Sequence, residues 1–403
     1  MDMMSILSID IETKSSKDLS KCGVYAYCED KDFEILLFAY AFDNEEVEII
    51  DFTKNEKLPR RVLEALLDDN IIKSAFNANF ERICISAYLN LYLSPKSWRC
   101  SQVHVLSLGL PLSLDSVGEV LSLKNKKLKS GKNLIKFFNK GNSPKDYPDK
   151  WQEFKNYCIM DVKCEREIRE KLSKFPISHE EELLYELDQE INDRGIGVDM
   201  DFVKQAIICD ENHKNIIKEK LYKLTKLDNV NSISQMKKFL HERNVKTEKL
   251  DKKSVENIMK TCSEEICEIL SLRKLLSKTS VRKYESISKS VTKDERVHGL
   301  FQFYGASRTG RWSGRLVQVQ NLPQNRMENL EYARNLLKNK EHDKLNDLKE
   351  STPEVLSQLI RTAFVPKENH EFIVVDFSAI EARVLSWISN EKWRMEVFKT
   401  HGK

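Results

Sequence analysis

The chain lacks a long apolar stretch, a C-x-x-C pair, an internal repeat and a low-complexity tract, and each absence removes a class of protein. Without the apolar stretch nothing reads as a membrane span. The opening segment MDMMSILSIDIET carries an acid at position 2 and a strand-like alternation where a leader would have a basic region and an apolar core, which predicts no signal peptide. Nine cysteines, an odd number without paired spacing, argue against a disulfide framework and read as reduced packing thiols in a cytoplasm. The remainder is 403 residues, 40% hydrophobic and 32% charged, which is a non-membrane chain with ample core material for two or three domains.

Net charge is only +3, yet the charge is unevenly spread. Between Leu121 and Lys145 there are eight lysines and no acid, a run that suits either polyanion contact or a solvated face. Arg308, Arg311 and Arg315 fall close together further on and suggest polyanion contact.

Three regions follow from the texture. Residues 1–176 alternate strand patterns (Ser5–Ile11, Ile35–Phe42, Val47–Phe52, Ile71–Ala75) with helical ones, which predicts an α/β domain that ends near Phe175-Pro176. Residues 177–296 are almost wholly helical in pattern, lysine-rich, and nearly free of Gly and Pro after Gly195-Ile196-Gly197. Residues 297–403 turn to Gly-rich and apolar pieces. Within them Phe372–Val375 predicts a buried strand, Asp376 its acidic end, and Ser378-x-x-Glu381 a capping box that opens a helix. On those residues alone, Asp376 and Glu381 suit either a catalytic corner or a plain turn and cap.

The first region holds a candidate metal centre. Asp10-Ile11-Glu12 puts two carboxylates on one strand face, because strand side chains alternate with period two. Like charges so close repel unless cations lie between them. Glu81 follows in Asn77-Ala78-Asn79-Phe80-Glu81, and Tyr157 with Asp161 lie one helical turn apart in YCIMD. Hard oxygen ligands without a local His/Cys cluster favour Mg²⁺ or Mn²⁺ over Zn²⁺. Two such ions about 4 Å apart activate water and stabilise a leaving oxygen in phosphodiester cleavage.

The set DIET, NANFER and YCIMDV resembles the three motifs of DEDDy-type 3′–5′ proofreading exonucleases. RVHGLFQFYGASRTGRWSGRLVQVQNLPQ and VVDFSAIEAR resemble the polymerase region of family A DNA polymerases, the bacterial DNA polymerase I class, and their bacteriophage members above all. The resemblance implies an RNase H-like exonuclease domain, a helical thumb and a partial polymerase palm, hence a fold class of α/β plus α. It implies that Asp10, Glu12 and Asp161 bind two Mg²⁺ or Mn²⁺ ions, that Tyr157 orients the attacking water, and that Glu81 stands where the family commonly has Asp. In the polymerase part it implies that Asp376 binds the catalytic metals with the Phe377 carbonyl, and that Glu381 is the steric gate against a ribose 2′-hydroxyl. Arg308, Arg311, Gln320, Asn321 and Arg383 would serve primer-template binding, and Arg273, Lys278, Ser280 and Lys283 would contact phosphates from the thumb.

The implied partners are primer-template DNA, a single-stranded 3′ end, a dNTP in the complete enzyme, and a C-terminal polymerase half, with no membrane. The implied place is the cytoplasm, the host's if a phage encodes the chain. Neither a fingers helix nor a second catalytic Asp is recognisable before Lys403, so the chain alone is expected not to polymerise DNA, and the apolar segment before Asp376 is expected to lie open. A self-sufficient exonuclease and a non-catalytic DNA-binding subunit are the two other readings of the same residues.

Overall fold

A computed structural model describes residues 5–402 apart from 127, 129, 279, 280 and 307. Of the residues singled out above, Lys127, Lys129 and Ser280 lie outside that set. The described residues form two units, Met1–Val365 and Pro366–Lys403.

Alternating side chains build the centre of the first unit. Strand β1 (Ile6–Lys14) sends Leu7, Ile9 and Ile11 into one apolar core, so Asp10 and Glu12 face the other way. It pairs antiparallel with β2 (Glu34–Phe42), which pairs antiparallel with β3 (Glu48–Asp51); on its other side it runs parallel to β4 (Ile72–Ala75), and β4 to β5 (Trp98–Cys100). The strand order is β3-β2-β1-β4-β5. Eight consecutive residues of β2, ILLFAYAF, are buried, as a strand covered on both faces requires.

Helices α1 (Leu19–Cys28), α2 (Arg60–Leu67), α3 (Ala78–Leu89), α4 (Ser101–Ser107), α5 (Leu114–Val120), α6 (Gly131–Asn139) and α7 (Pro148–Leu172) complete this part. Helix α7, which starts on Pro148 at a position where a missing N–H costs nothing, packs against β1 and β2. Its Phe154, Tyr157, Cys158 and Val162 form a second core with Leu37 and Ala39 of β2. Leu37 and Ala39 are the cross-strand partners of Glu12 and Asp10, so both carboxylates point to the α7 face.

Beyond α7 come α8 (His179–Arg194), β6 (Ile196–Val198), α9 (Met200–Thr225), α10 (Ile233–Glu242), α11 (Lys252–Met259), α12 (Glu264–Leu276), α13 (Arg282–Ser290) and β7 (Arg296–Val297). Gly195, at φ +57, makes the turn from α8 into β6, where an added Cβ would lie 2.7 Å from the Val297 carbonyl oxygen. Next are the hairpin β8 (Phe301–Ala306) and β9 (Arg311–Gly314), then α14 (Leu330–Lys338), α15 (Thr352–Leu359) and β10 (Phe364–Val365). The small sheet β10-β6-β7 joins three distant stretches, and one core unites Phe202, Tyr284, Leu336 and Leu356. Residues on both sides of position 296 therefore share that core. The distal helices around Met236, Phe239, Ile266 and Leu270 have a separate one.

The second unit consists of α16 (Ile380–Ile388) packed on α17 (Lys392–Thr400). Two expectations are corrected here. Phe372–Val375 is not a buried strand: it lies outside regular structure, with Ile373, Val374 and Val375 83–88% exposed. An apolar run becomes a strand only when neighbouring backbone accepts its hydrogen bonds, and among the described residues this unit holds no strand to do so. Ser378 does not form the capping box either: α16 begins one residue later than that box requires, its N-cap is Ala379 at φ 51, and no side chain caps it. The Ser378 carbonyl instead accepts a bond from Arg383 Nε at 2.7 Å. Among the described residues no helix is long and apolar enough to cross a membrane.

Candidate metal centre and nucleic-acid surfaces

Three separate pieces of sequence meet on the α7 face of the large sheet. Asp10 and Glu12 come from β1, just before the pairing with β2 slips between Glu12 and Thr13, an irregularity of the kind that re-aims side chains. Glu81 comes from the first turn of α3, and Tyr157 and Asp161 from α7. Ligand atoms of Asp10, Glu12 and Cys158 lie within 4.8 Å of one another. Glu12, Glu81, Tyr157 and Asp161 are all buried, and Asp10 half-buried.

The electrostatics show how close these groups are. Burial, followed by the charges of Asp10, Glu165 and Asp161, pushes Glu81 well above the usual carboxylate range. Its Oε2 is buried without a hydrogen-bond partner. A buried acid crowded by other acids and left with an open lone pair is what a divalent cation would neutralise. The donor set is carboxylate oxygen, so the residues present fit Mg²⁺ or Mn²⁺. Cys158 is a different matter. Burial, then Asp10 and Glu12, raise its thiol well above the ordinary value, and it donates to the Asp10 carbonyl oxygen at 3.5 Å, which makes it a neutral packing group beside the site.

Tyr157 is held as a donor. Burial, then the charges of Asp161, Glu12 and Asp10, keep its phenol protonated far above its usual range, so it presents an O–H to the acidic cluster. Its ring stacks on Phe154 with centroids 6.3 Å apart. On the other side it lies so close to Gly131 that an added Cβ would be 2.0 Å from Tyr157 Cε2.

Glu165 went unremarked in the sequence. It sits one helical turn beyond Asp161 on the same face of α7, is 1% exposed, and accepts bonds from Ser74 Oγ and Ser101 Oγ, each at 2.6 Å. The i, i+4 spacing from Asp161 was the available signal. Arg82 and Asp193 were missed too. Their guanidinium–carboxylate pair, at 2.7 and 2.9 Å, ties α3 to α8 with Arg82 1% exposed.

The arginine-rich segment forms the β8–β9 hairpin. Arg308 lies in its turn and Arg311 opens β9, both exposed. Gln320 and Asn321 lie in a single 3₁₀ turn, Val319–Asn321, and the Gln320 carboxamide rests against Gly314 of β9, so hairpin and turn share one exposed surface. The thumb candidates are largely engaged within the protein. Arg273 Nε donates to the Val230 carbonyl at 3.1 Å and Lys283 Nζ to the Val317 carbonyl at 2.5 Å, while Lys278 pairs with Glu354 at 3.6 Å. Arg273 and Lys283 thus brace local backbone, because a half-buried cation needs a nearby acceptor.

In the second unit Asp376 and Phe377 are exposed, and Glu381 lies in the first turn of α16. Arg383 braces that unit, donating to the Gly402 carbonyl at 2.8 Å and lying 4.5 Å over the Phe398 ring.

The chain thus sets a mixed sheet with an acidic centre before a helical region and an arginine-bearing hairpin. Residues 204–402 match the family described as DNA polymerase family A. Over those residues the chain is similar to that family. It is 52% identical over 413 residues to the DNA polymerase of Bacillus phage SP02, an alignment that takes in 99% of this chain and 64% of that protein. The fold is similar to the solved POL domain of Pol1 from M. smegmatis in complex with DNA primer-template and dNTP, with a TM-score of 0.58 and 15% identity, over 95% of this chain and 59% of that one. The chain thus spans less than two thirds of the length of either.

Proposed function

We propose that this chain is polymerase polypeptide of a DNA-directed DNA polymerase and that its first 176 residues are an RNase H-like 3′–5′ proofreading exonuclease. The observation that carries the second half is the convergence of Asp10, Glu12, Glu81 and Asp161 around the protonated hydroxyl of Tyr157. Asp10, Glu12 and Asp161 would hold two Mg²⁺ or Mn²⁺ ions, with Glu81 behind them. When bound, such ions supply an activated water and neutralise charge on the phosphate. Tyr157 donates its O–H within the acidic cluster and so orients the water for attack at the 3′-terminal phosphodiester. The sheet and α7 hold these groups on rigid elements, which suits a reaction that depends on positioning and electrostatics.

On the polymerase side, Arg308, Arg311, Gln320 and Asn321 form the primer-template surface with Lys278 as a support, and Arg383 supports the Asp376 segment within its own unit. Asp376, the Phe377 carbonyl and Glu381 serve the dNTP once further polypeptide, such as the remaining third of the phage relative would supply, covers Phe372–Phe377. The exposed Ile373, Val374 and Val375 support that requirement. A second reading, in which this chain acts by itself as an exonuclease, is favoured by Asp10, Glu12, Glu81, Tyr157 and Asp161 all lying within the first unit. A cytoplasmic place, in the host of a phage, accords with nine free thiols.

The test is Mg²⁺-dependent degradation of a 5′-labelled single-stranded oligonucleotide. Stepwise shortening from the 3′ end, lost in Asp10→Ala by a factor of at least about 10³, supports the proposal. No shortening by the wild-type chain refutes the exonuclease and leaves the DNA-binding subunit.

A further inference from the structure

The eight lysines between Leu121 and Lys145 have no role in the chemistry above, and the structure gives part of that run a defined position. Gly131, the first residue of α6, lies directly against the Tyr157 ring, and α6 packs on both β1 and α7. Phe138 at the other end of α6 stacks on Phe154 with centroids 5.3 Å apart and meets Trp151 edge-on at 4.8 Å. One inward face, Gly131, Leu134 and Phe138, is therefore locked to the helix that carries Tyr157 and Asp161. The opposite face carries Lys132, Lys136 and Lys140, all exposed and spaced four apart, so they form one stripe along the helix. None of the three pairs with a carboxylate among the described residues. Their spacing of about 6 Å along the axis is on the scale of one extended nucleotide.

We propose that this stripe is the track on which the single-stranded 3′ end of DNA lies as it enters the exonuclease centre. The proposal rests on the exonuclease reading for its direction and on the geometry of α6 for its place. A solvated lysine face elsewhere would be unremarkable. This one begins at Lys132, next in the chain to the Gly131 that lies against Tyr157, and its charge is complementary to the backbone of the strand whose terminal phosphodiester must reach that ring. Lysines held on a packed helix contact phosphates without reading bases, so binding should be indifferent to sequence and steeply dependent on salt.

The experiment measures binding of a 5′-fluorescein oligothymidylate to the full chain in EDTA by anisotropy, from 50 to 200 mM salt. The wild type is compared with the triple variant Lys132→Gln, Lys136→Gln, Lys140→Gln, and with a charge-matched control, Lys31→Gln, Lys54→Gln, Lys57→Gln, whose lysines are also exposed. Loss of three phosphate contacts should lower the slope of log K against log salt by about 2, at roughly 0.7 per contact for single strands. In the cleavage assay with Mg²⁺ the same variant should show a raised KM and an unchanged kcat. An unchanged slope, or an equal drop in the control, overturns the proposal. Because binding is read without cleavage, an inactive wild type would refute the exonuclease and still leave the stripe to be judged by its slope.

Discussion

Replacing Asp188 with Asn should make the protein more stable at pH 8 and leave it nearly unchanged at pH 4. Asp188 lies on α8, is 1% exposed, and burial pushes its carboxyl up to about 7 despite bonds donated by Gln189 Nε2 at 2.9 Å and Asn192 Nδ2 at 3.1 Å. Its Oδ1 is buried without a partner, which is where an ionised carboxylate suffers most. The folded value exceeds the ordinary 3.8, so the folded state binds more protons between the two. Stability from this group is therefore complete below about pH 4 and is lost as pH rises to about 7. Three units at 1.36 kcal/mol each give about 4 kcal/mol as the full span. Asn imitates the neutral acid at every pH, so the variant escapes the loss. At roughly 2–4 °C per kcal/mol for a large domain, its Tm should exceed that of the wild type by on the order of ten degrees at pH 8. Thermal unfolding followed by near-ultraviolet circular dichroism from pH 4 to 9 reads the gap directly. A gap that does not widen between pH 4 and 7 refutes the reasoning. The consequence reaches the β8–β9 hairpin, because Asn192 also accepts from Phe301 N–H at 2.9 Å and donates to the Phe301 carbonyl at 3.1 Å at its root.

Two further outcomes follow from buried contacts. Asp193→Ala strands the Arg82 guanidinium and removes the acceptor of the Tyr25 hydroxyl, held at 2.5 Å, which should cost about 3–5 kcal/mol in urea unfolding; Arg82→Met combined with Asp193→Leu should recover most of it. Gly131→Ala places a Cβ 2.0 Å from the Tyr157 ring and must displace it, so the exonuclease kcat should fall by about 10²-fold while single-stranded DNA affinity in EDTA stays within a factor of about two.

Much of the first region was legible because its signals are local. Ser5–Ile11, Ile35–Phe42, Val47–Phe52 and Ile71–Ala75 anticipate β1 to β4 within a few residues, since alternation and apolar runs survive into the sheet. The grouping of Asp10 with Glu12 needed only the period of a strand, and that of Tyr157 with Asp161 only the turn of a helix. What failed needed partners far along the chain. The strands β6, β7 and β10 have two or three residues each and exist because positions 197, 296 and 365 meet, which no periodicity reveals. The run Phe372–Val375 has strand composition and no strand to pair with inside its unit. Glu165 and Arg82 are buried because the fold brings Ser74, Ser101 and Asp193 to them.

The two chemistries proposed for this chain stand on unequal ground, and the difference is one of preorganisation. A two-metal centre works when its carboxylates are fixed before substrate arrives and sit where water is scarce, because each charge then acts at a low effective dielectric. Asp10, Glu12, Glu81 and Asp161 meet that condition within the first unit: β1 is paired on both sides, α7 covers the site, and Phe154 and Gly131 fix the Tyr157 ring. Asp376 lies between Val375, 86% exposed, and Phe377, 80% exposed, on backbone outside any strand. A carboxylate exposed on backbone that no strand holds is screened by water and is poorly placed to fix a cation or one phosphate geometry. The proposed polymerase step therefore depends on polypeptide that pairs with and buries Phe372–Phe377. The proposed exonuclease step takes from the polypeptide only residues already packed around β1, together with its divalent ions.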